Sequence, residues 1–270
     1  MARVRVRDIE IEYEIVGEGP PVLFISGTGG DLRVRPNVLD APVAARTRLL
    51  AYDQRGLGRT TVPDGAATMA DYADDAAALL DALAFAPVAV VGVSFGGMVA
   101  QELALRHAHR VSRLLLCCTS SGGDGGASYP LHELAQLEEG ERFARQLAIS
   151  DVRMDAAWQA ANPGRVAQLE AQMRAARAVG EHEAGRARGA ALQLEARRHH
   201  DTYDRLPRLA IPVLIAGGRH DGLAPPENQR VLAERIPGAR LRMYEGGHLF
   251  LVQDRTAWPE LTDWLLEGAD

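Results

Sequence analysis

Val88-Ala89-Val90-Val91-Gly92-Val93-Ser94-Phe95-Gly96-Gly97-Met98-Val99-Ala100-Gln101-Glu102-Leu103-Ala104 is the stretch that decides the fold. Its first four residues form a short, wholly apolar run, as a strand covered on both faces requires. From Gly97 to Arg106 the chain reads as a helix. Between strand and helix lies Gly92-Val93-Ser94-Phe95-Gly96, a G-x-S-x-G turn in the context that gives it meaning. A serine meant to attack must stand on a sharp, strained turn with its hydroxyl clear of the sheet. Side chains two residues to either side would collide there, so positions 92 and 96 are glycine. The following helix aims its first N–H groups at developing negative charge. A serine that merely caps a helix after a glycine-rich turn is the competing reading. The flanks favour Ser94 as a nucleophile.

Working outward, further apolar runs appear at Val22 to Ile25, Arg48 to Tyr52, Val111 to Cys117, Pro212 to Ala216 and Leu241 to Tyr244. Val4 to Glu14 alternates polar and apolar, the pattern of a two-stranded hairpin. Helical stretches fall at Met69 to Leu83, Pro226 to Arg235 and Asp254 to Leu266. Strands alternating with helices imply an α/β fold, a parallel sheet wrapped by helices on both faces. One region breaks the alternation. Ser121-Gly122-Gly123-Asp124-Gly125-Gly126 is a flexible joint, and Leu131 to about Leu206 carries helix formers with no strand pattern. The organisation expected is a core over residues 1–120, a helical cap over 121–206 and the rest of the core over 207–270.

A serine hydroxyl needs a base, and the base needs an orienting group. Eight histidines are available, and only His248 lies in a glycine turn just after the last strand, within Glu245-Gly246-Gly247-His248-Leu249. The loops at the C-terminal edge of a parallel sheet are where ligands bind, so His248 is the expected base. Asp221 follows the strand ending near Ala216 and is the expected acid, giving the order serine, acid, histidine. Asp124, on the glycine-rich joint, competes for that role. An oxyanion site needs two backbone donors. One is assigned to Phe95 N–H, directly after the nucleophile. The other is assigned to Thr28 N–H in Ser26-Gly27-Thr28-Gly29-Gly30.

Composition narrows the partners. The 270 residues carry a net charge of −6, with 47% hydrophobic and 24% charged residues, ordinary for a globular chain. All 30 basic residues are arginine, so a Walker lysine is excluded and a phosphate-loop reading of Ser26–Gly30 is weak. The balance provides no basic footprint for nucleic acid. Met1 to Arg7 alternates valine with charge and lacks the apolar core of a signal peptide. No apolar run is long enough to span a membrane, and the expected location is the cytoplasm. Two adjacent cysteines, Cys117 and Cys118, exclude a disulfide framework and read as a buried strand end. His199-His200-Asp201 mimics a metal cluster, but consecutive helical residues point apart. No cofactor and no metal is expected. Arg33 and Arg35 are candidates to meet an acidic substrate, and Trp158 and Met173 to line a pocket, although exposed helix arginines and plain packing of the cap are the favoured readings. His220, beside Asp221, is a candidate supporting residue. A homo-oligomer is compatible with the sequence.

Taken together, the chain resembles the α/β-hydrolase-fold superfamily over nearly its whole length. The resemblance rests on Ser26 to Gly30, on Asp53-Gln54-Arg55-Gly56-Leu57-Gly58-Arg59-Thr60, on Gly92 to Gly97, on Gly218-Arg219-His220-Asp221 and on Gly246-Gly247-His248. It implies an eight-stranded, mostly parallel sheet flanked by helices, with a cap inserted after strand 6. It also implies a structural role for the Asp53 to Thr60 turn, so that Asp53 and Arg55 are not expected to take part in catalysis. Within the superfamily, Ser94 to Ala104 is most similar to the esterase and 3-oxoadipate enol-lactonase group. Serine at 94 differs from the aspartate of haloalkane dehalogenases and epoxide hydrolases. Phe95 differs from the tryptophan common in proline iminopeptidases. Ser26 stands where relatives often carry histidine, and Phe95 where many carry methionine. The activity implied is hydrolysis of a carboxylic ester or lactone through an acyl-enzyme. Perhydrolysis by a cofactor-free haloperoxidase, acyl transfer or cyclisation, and ligand binding without turnover are the alternatives on the same site.

Overall fold

A computed structural model describes residues 1–85 and 87–268. The strands are β1 (Ala2–Val6), β2 (Ile9–Val16), β3 (Pro21–Ile25), β4 (Arg48–Tyr52), β5 (Val88–Val93), β6 (Val111–Cys117), β7 (Val213–Gly218) and β8 (Arg240–Tyr244). They form one sheet in the order β1-β2-β4-β3-β5-β6-β7-β8. β1 and β2 pair antiparallel, as do β2 and β4, and every later pair is parallel.

The central strands read as continuous apolar runs because both faces are buried. Alternate residues supply two separate cores, as the two-residue period of a strand requires. Val88 and Val90 of β5, Leu114 and Leu116 of β6, and Val213 and Ile215 of β7 face one core. Val91, Leu115, Cys117, Leu214 and Ala216 face the other. The first core is closed by α1 (Met69–Ala82), α2 (Phe95–Arg106) and α7 (Pro226–Arg235). The second is closed by α9 (Ala257–Leu266) and the turns around Val38–Ala45. α1 begins where its sequence dictates, with Thr68 and Asp71 forming a capping box.

The helix expected from Asp254 to Leu266 starts three residues later than its sequence suggests, and a short helix precedes it. α8 covers Phe250–Gln253, and α9 starts at Ala257. Asp254 accepts hydrogen bonds from Thr256 N and from Glu245 N, both at 2.9 Å. Those bonds hold it between the two helices rather than inside one.

Between β6 and β7 the chain forms α3 (Glu139–Ser150), α4 (Ala156–Ala161), α5 (Pro163–Ala178) and α6 (Arg186–Arg198), with short 3₁₀ turns on either side. α6 rests on the turn after β4. Gly189 lies against the Gly56 backbone, where no Cβ would fit. Arg186 pairs with Asp31 at 3.1 Å, and Arg33 joins Asp31 to Glu183 at 2.8 and 2.6 Å.

Strand order places the site. The chain runs outward from β3 to β4 on one side and to β5 on the other, so the direction of winding reverses between β3 and β5. Ligands bind outside the C-terminal ends of strands at such a reversal. Ile25 pairs with Gly92 at those ends, which sets the loop Ser26–Gly30 beside the turn at Ser94.

Candidate active site

Ser94 has φ 56° and ψ −116°, a left-handed conformation that costs a non-glycine residue of order 1–3 kcal/mol. The surroundings enforce it. Ser94 N donates to Cys117 O at 2.8 Å, and Thr119 Oγ1 donates to Ser94 O at 2.8 Å. At position 96 a Cβ would collide with the Ile25 and Ser26 carbonyls, and at position 92 with the Ala100 side chain at 2.7 Å. Both glycines are therefore dictated by close packing of β3, β5 and α2. The hydroxyl does not cap α2. It lies 3.0 Å from His248 Nε2 instead.

His248 Nδ1 lies 2.8 Å from Asp221 Oδ2. The other carboxylate oxygen, Oδ1, accepts from Leu223 N and Ala224 N, each at 2.8 Å. With Nδ1 donating to the carboxylate, Nε2 is left free to accept from Ser94 Oγ. His248 N donates to Ser150 O at 2.6 Å, so the end of α3 holds the histidine loop in place. Asp221 is 2% exposed and Ser94 8% exposed, so the chain of three is screened from bulk water. Asp124 is exposed in its 3₁₀ turn and bonds to no histidine among the described residues. Burial pushes the Cys118 thiol pKa well up. It sits beside Asp221 and His248 as a packed, protonated neighbour, while both histidine nitrogens are engaged by Ser94 and Asp221.

Phe95 N–H opens α2 and has no acceptor among the described residues; the same holds for Thr28 N–H. The loop that carries Thr28 stands close to the serine, since a Cβ at Gly27 would lie 3.5 Å from Ser94 Cβ. Hydrogen bonds within the loop and with two glutamines hold it in place. Gly30 N donates to Gly27 O at 3.2 Å, Gln54 Nε2 donates to Ser26 O at 2.8 Å, and Gly29 N donates to Gln193 Oε1 of α6 at 2.7 Å. A free N–H at the positive end of α2 and a second in the loop beside Ser94 form an arrangement suited to a tetrahedral oxyanion.

Two cavities flank the Pro36–Val38 segment. One, of about 530 Å³, is polar at Thr28, Asp31, Asp53 and Arg186. The other, of about 540 Å³, reaches His248 and is walled by Val93, Leu249, Leu251 and Trp258. Asp53 is buried, which raises its pKa to about 6 against the pull of its bonds from Leu32 N and Arg59 N. Those backbone bonds tie two loops together.

Several candidates have other employment. Arg33 is consumed by Asp31 and Glu183, and Arg35 pairs with Asp40 at 3.3 Å. His199 is exposed beside Glu195, whereas His200 is buried with Nε2 3.2 Å from Ser120 O, so the two share no ligand. His220 lies 3.4 Å from Glu245 at the surface. Neither Trp158 nor Met173 lines the two cavities; α5 contributes Ala176 and Arg177 instead. Gln54, within the Asp53–Thr60 turn expected to be structural, holds the Ser26 loop, whereas Gln193 and Ser150 hold the site together and carried no signal in the sequence. A glutamine among helix formers shows its role only once its partner, 164 residues away, is in place.

Comparison with known proteins matches the chain to a family. A family model described as alpha/beta hydrolase fold covers residues 20–254. BpoC of Mycobacterium tuberculosis, named provisionally as a non-heme bromoperoxidase, is 31% identical over 265 residues, 89% of this chain and 91% of its own. RutD of Variovorax paradoxus, named provisionally as a carbamate hydrolase, is 33% identical over 249 residues, covering 90% and 91%. Among solved structures, the enol-lactonase from Burkholderia xenovorans LB400 superimposes with a TM-score of 0.77 at 26% identity, over 98% of this chain and 100% of that one. A match across most of the length, on a sheet whose strand ends carry each motif, makes this chain a member of the alpha/beta hydrolase fold family.

Proposed function

We propose that the protein is a serine hydrolase that cleaves a carboxylic ester or lactone through an acyl-enzyme. The single observation that carries this reading is the relay Ser94 Oγ–His248 Nε2–Asp221, with contacts of 3.0 and 2.8 Å. Ser94 Oγ attacks the carbonyl carbon while His248 Nε2 takes its proton. Asp221 holds the histidine tautomer and stabilises the imidazolium. The N–H groups of Phe95 and Thr28 receive the oxyanion. When the tetrahedral adduct collapses, the alkoxide leaves with the proton from His248. In a lactone that alkoxide stays tethered to the acyl group. Water then attacks the acyl-enzyme with His248 as base, and Ser94 is regenerated with the free acid. The apolar cavity beside His248 suits the hydrocarbon part of the substrate, and residues 121–206 act as a cap over the site.

The test is the initial rate on 4-nitrophenyl esters of increasing acyl length, for the native protein and Ser94→Ala. Loss of ester turnover in the variant is expected. Turnover unchanged by the substitution would overturn the assignment. A second reading has one specific support, the 31% identity to BpoC. In it, peroxide replaces water at the acyl-enzyme and a peracid is released. Serine-dependent halogenation with acetate and peroxide separates the two.

A further inference from the structure

Arg197 is 8% exposed and lies on α6. Arg55, buried to a similar degree, is held by the carboxylates of Asp75 and Asp8. Arg197 has no carboxylate within ion-pair distance among the described residues. Its one side-chain hydrogen bond runs from Nη2 to Ser128 Oγ at 2.6 Å, and its buried Nε has no acceptor. Burial lowers its pKa to about 10, so it remains a cation at neutral pH. A buried charge without a counter-ion is costly to keep.

The position of this charge is fixed by its neighbours. Gln193 lies one helical turn earlier on the same face of α6. Its Oε1 accepts from Gly29 N on the loop that carries Thr28. Gln193 Nε2 is also buried with no acceptor. On the other side, Ser128 adjoins Tyr129, whose N–H donates to Leu223 O at 2.7 Å. Leu223 is one of the two residues whose N–H groups bind Asp221. This face of α6 is thus tied to the Thr28 loop through Gln193 and, through Arg197, Ser128 and Tyr129, to the loop that carries Asp221, while Arg186 and Ala190 earlier on α6 line the cavity at Thr28. Two unpartnered buried donors, one of them charged, point to an anion with two acceptor oxygens.

We propose that Arg197, with Gln193 Nε2 beside it, binds a carboxylate on the substrate, so that the natural ester or lactone carries a free acid group remote from the scissile carbonyl. The proposal rests on the hydrolase reading above and assigns the substrate class of that site. Arg197 orients the substrate and takes no part in proton transfer.

The experiment compares mono-4-nitrophenyl esters of succinate, glutarate and adipate with neutral 4-nitrophenyl butyrate, valerate and hexanoate. The native protein is expected to prefer one anionic ester over its neutral counterpart. Arg197→Gln is expected to lower that ratio of kcat/KM by about ten- to a hundred-fold, the worth of charge-assisted hydrogen bonds, mostly through KM. Arg197→Lys should restore part of it. An unchanged ratio in Arg197→Gln overturns the proposal. Should the variants fail to fold, the native enzyme still decides. Competitive inhibition by glutarate but not by uncharged glutaramide supports the site, and equal or no inhibition by both overturns it. If native protein hydrolyses neither ester series, the hydrolase reading fails separately. A rise in Tm with free glutarate then still supports the anion site, and no rise overturns it.

Discussion

Asp221→Asn separates the role of the acid from its place in the fold. The carboxylate does two jobs with its two oxygens. Oδ1 accepts from Leu223 N and Ala224 N, and Oδ2 accepts from His248 Nδ1. Asparagine keeps one oxygen, which remains with the two backbone donors. Its amide nitrogen then faces His248 Nδ1 and donates to it. The imidazole proton must move to Nε2, where it points at Ser94 Oγ, and the base has no lone pair left to offer. A tautomer error of this kind lowers kcat by about 10⁴-fold in a serine triad, which is about 5 kcal/mol of transition-state stabilisation. Stability should change little, because the loop keeps its backbone bonds. Asp221→Ala would instead orphan two buried N–H groups at about 1–3 kcal/mol each, so its loss of activity would mix with unfolding. The assay is the initial rate on the best 4-nitrophenyl ester, alongside a thermal melt followed by circular dichroism. A variant within about ten-fold of native kcat, with an unchanged melt, would refute the assignment of Asp221. A parallel loss in Asp124→Asn would move the acid to the glycine-rich joint.

Two further outcomes concern the frame. Arg55 is buried and binds Asp75 through contacts of 2.7 and 2.8 Å, while Arg7 holds Asp75 at 2.8 Å. Arg55→Met leaves that buried carboxylate with Arg7 alone, a loss of about 3–5 kcal/mol. Tm should fall by about 10 °C with kcat of the folded protein unchanged; a kcat collapse at unaltered Tm would give the turn a direct role in catalysis. His200 has its pKa lowered by burial from 6.5 to about 4. Between those values the unfolded chain binds a proton that the folded protein does not, so stability falls as pH drops through this window, by on the order of 2–3 kcal/mol. Urea midpoints at neutral pH and near pH 4.5 should therefore converge in His200→Gln, and an identical pH slope in native and variant would mean that the slope does not arise from His200.

Most of the fold is legible in the sequence because its signals are local. A strand segment buried on both faces must be an unbroken apolar run, and the buried parts of β3 to β7 are such runs, residues 49–52 in β4 and 114–117 in β6 among them. The turn at Ser94 is legible for the same reason. Gly92, Ser94 and Gly96 lie within five residues, and the steric demand that selects them is met by neighbours close in the chain and by β3. Asp221 and His248 are singled out by lying just beyond strand ends, a property of the chain that needs no knowledge of pairing. The start of α9 at Ala257 rather than Asp254 escapes such a reading, because the Asp254 side chain answers to Glu245 nine residues back.

What only the tertiary structure decides is which polar groups meet. Strand order sets β3 beside β5, and nothing in either run specifies that neighbour; the long crossovers that cover both faces do. That pairing brings the Thr28 loop to Ser94. Helix formers determine that 186–198 is a helix but not where it docks, so Gln193 on Gly29, and the unpaired state of Arg197, exist only once α6 lies across the sheet edge. Arg33 and Arg197 are the same residue type. One is neutralised by Asp31 and Glu183, and the other is left charged and buried. Burial and pairing are properties of the folded surroundings, and for an arginine they decide whether its charge holds the fold together or awaits a ligand.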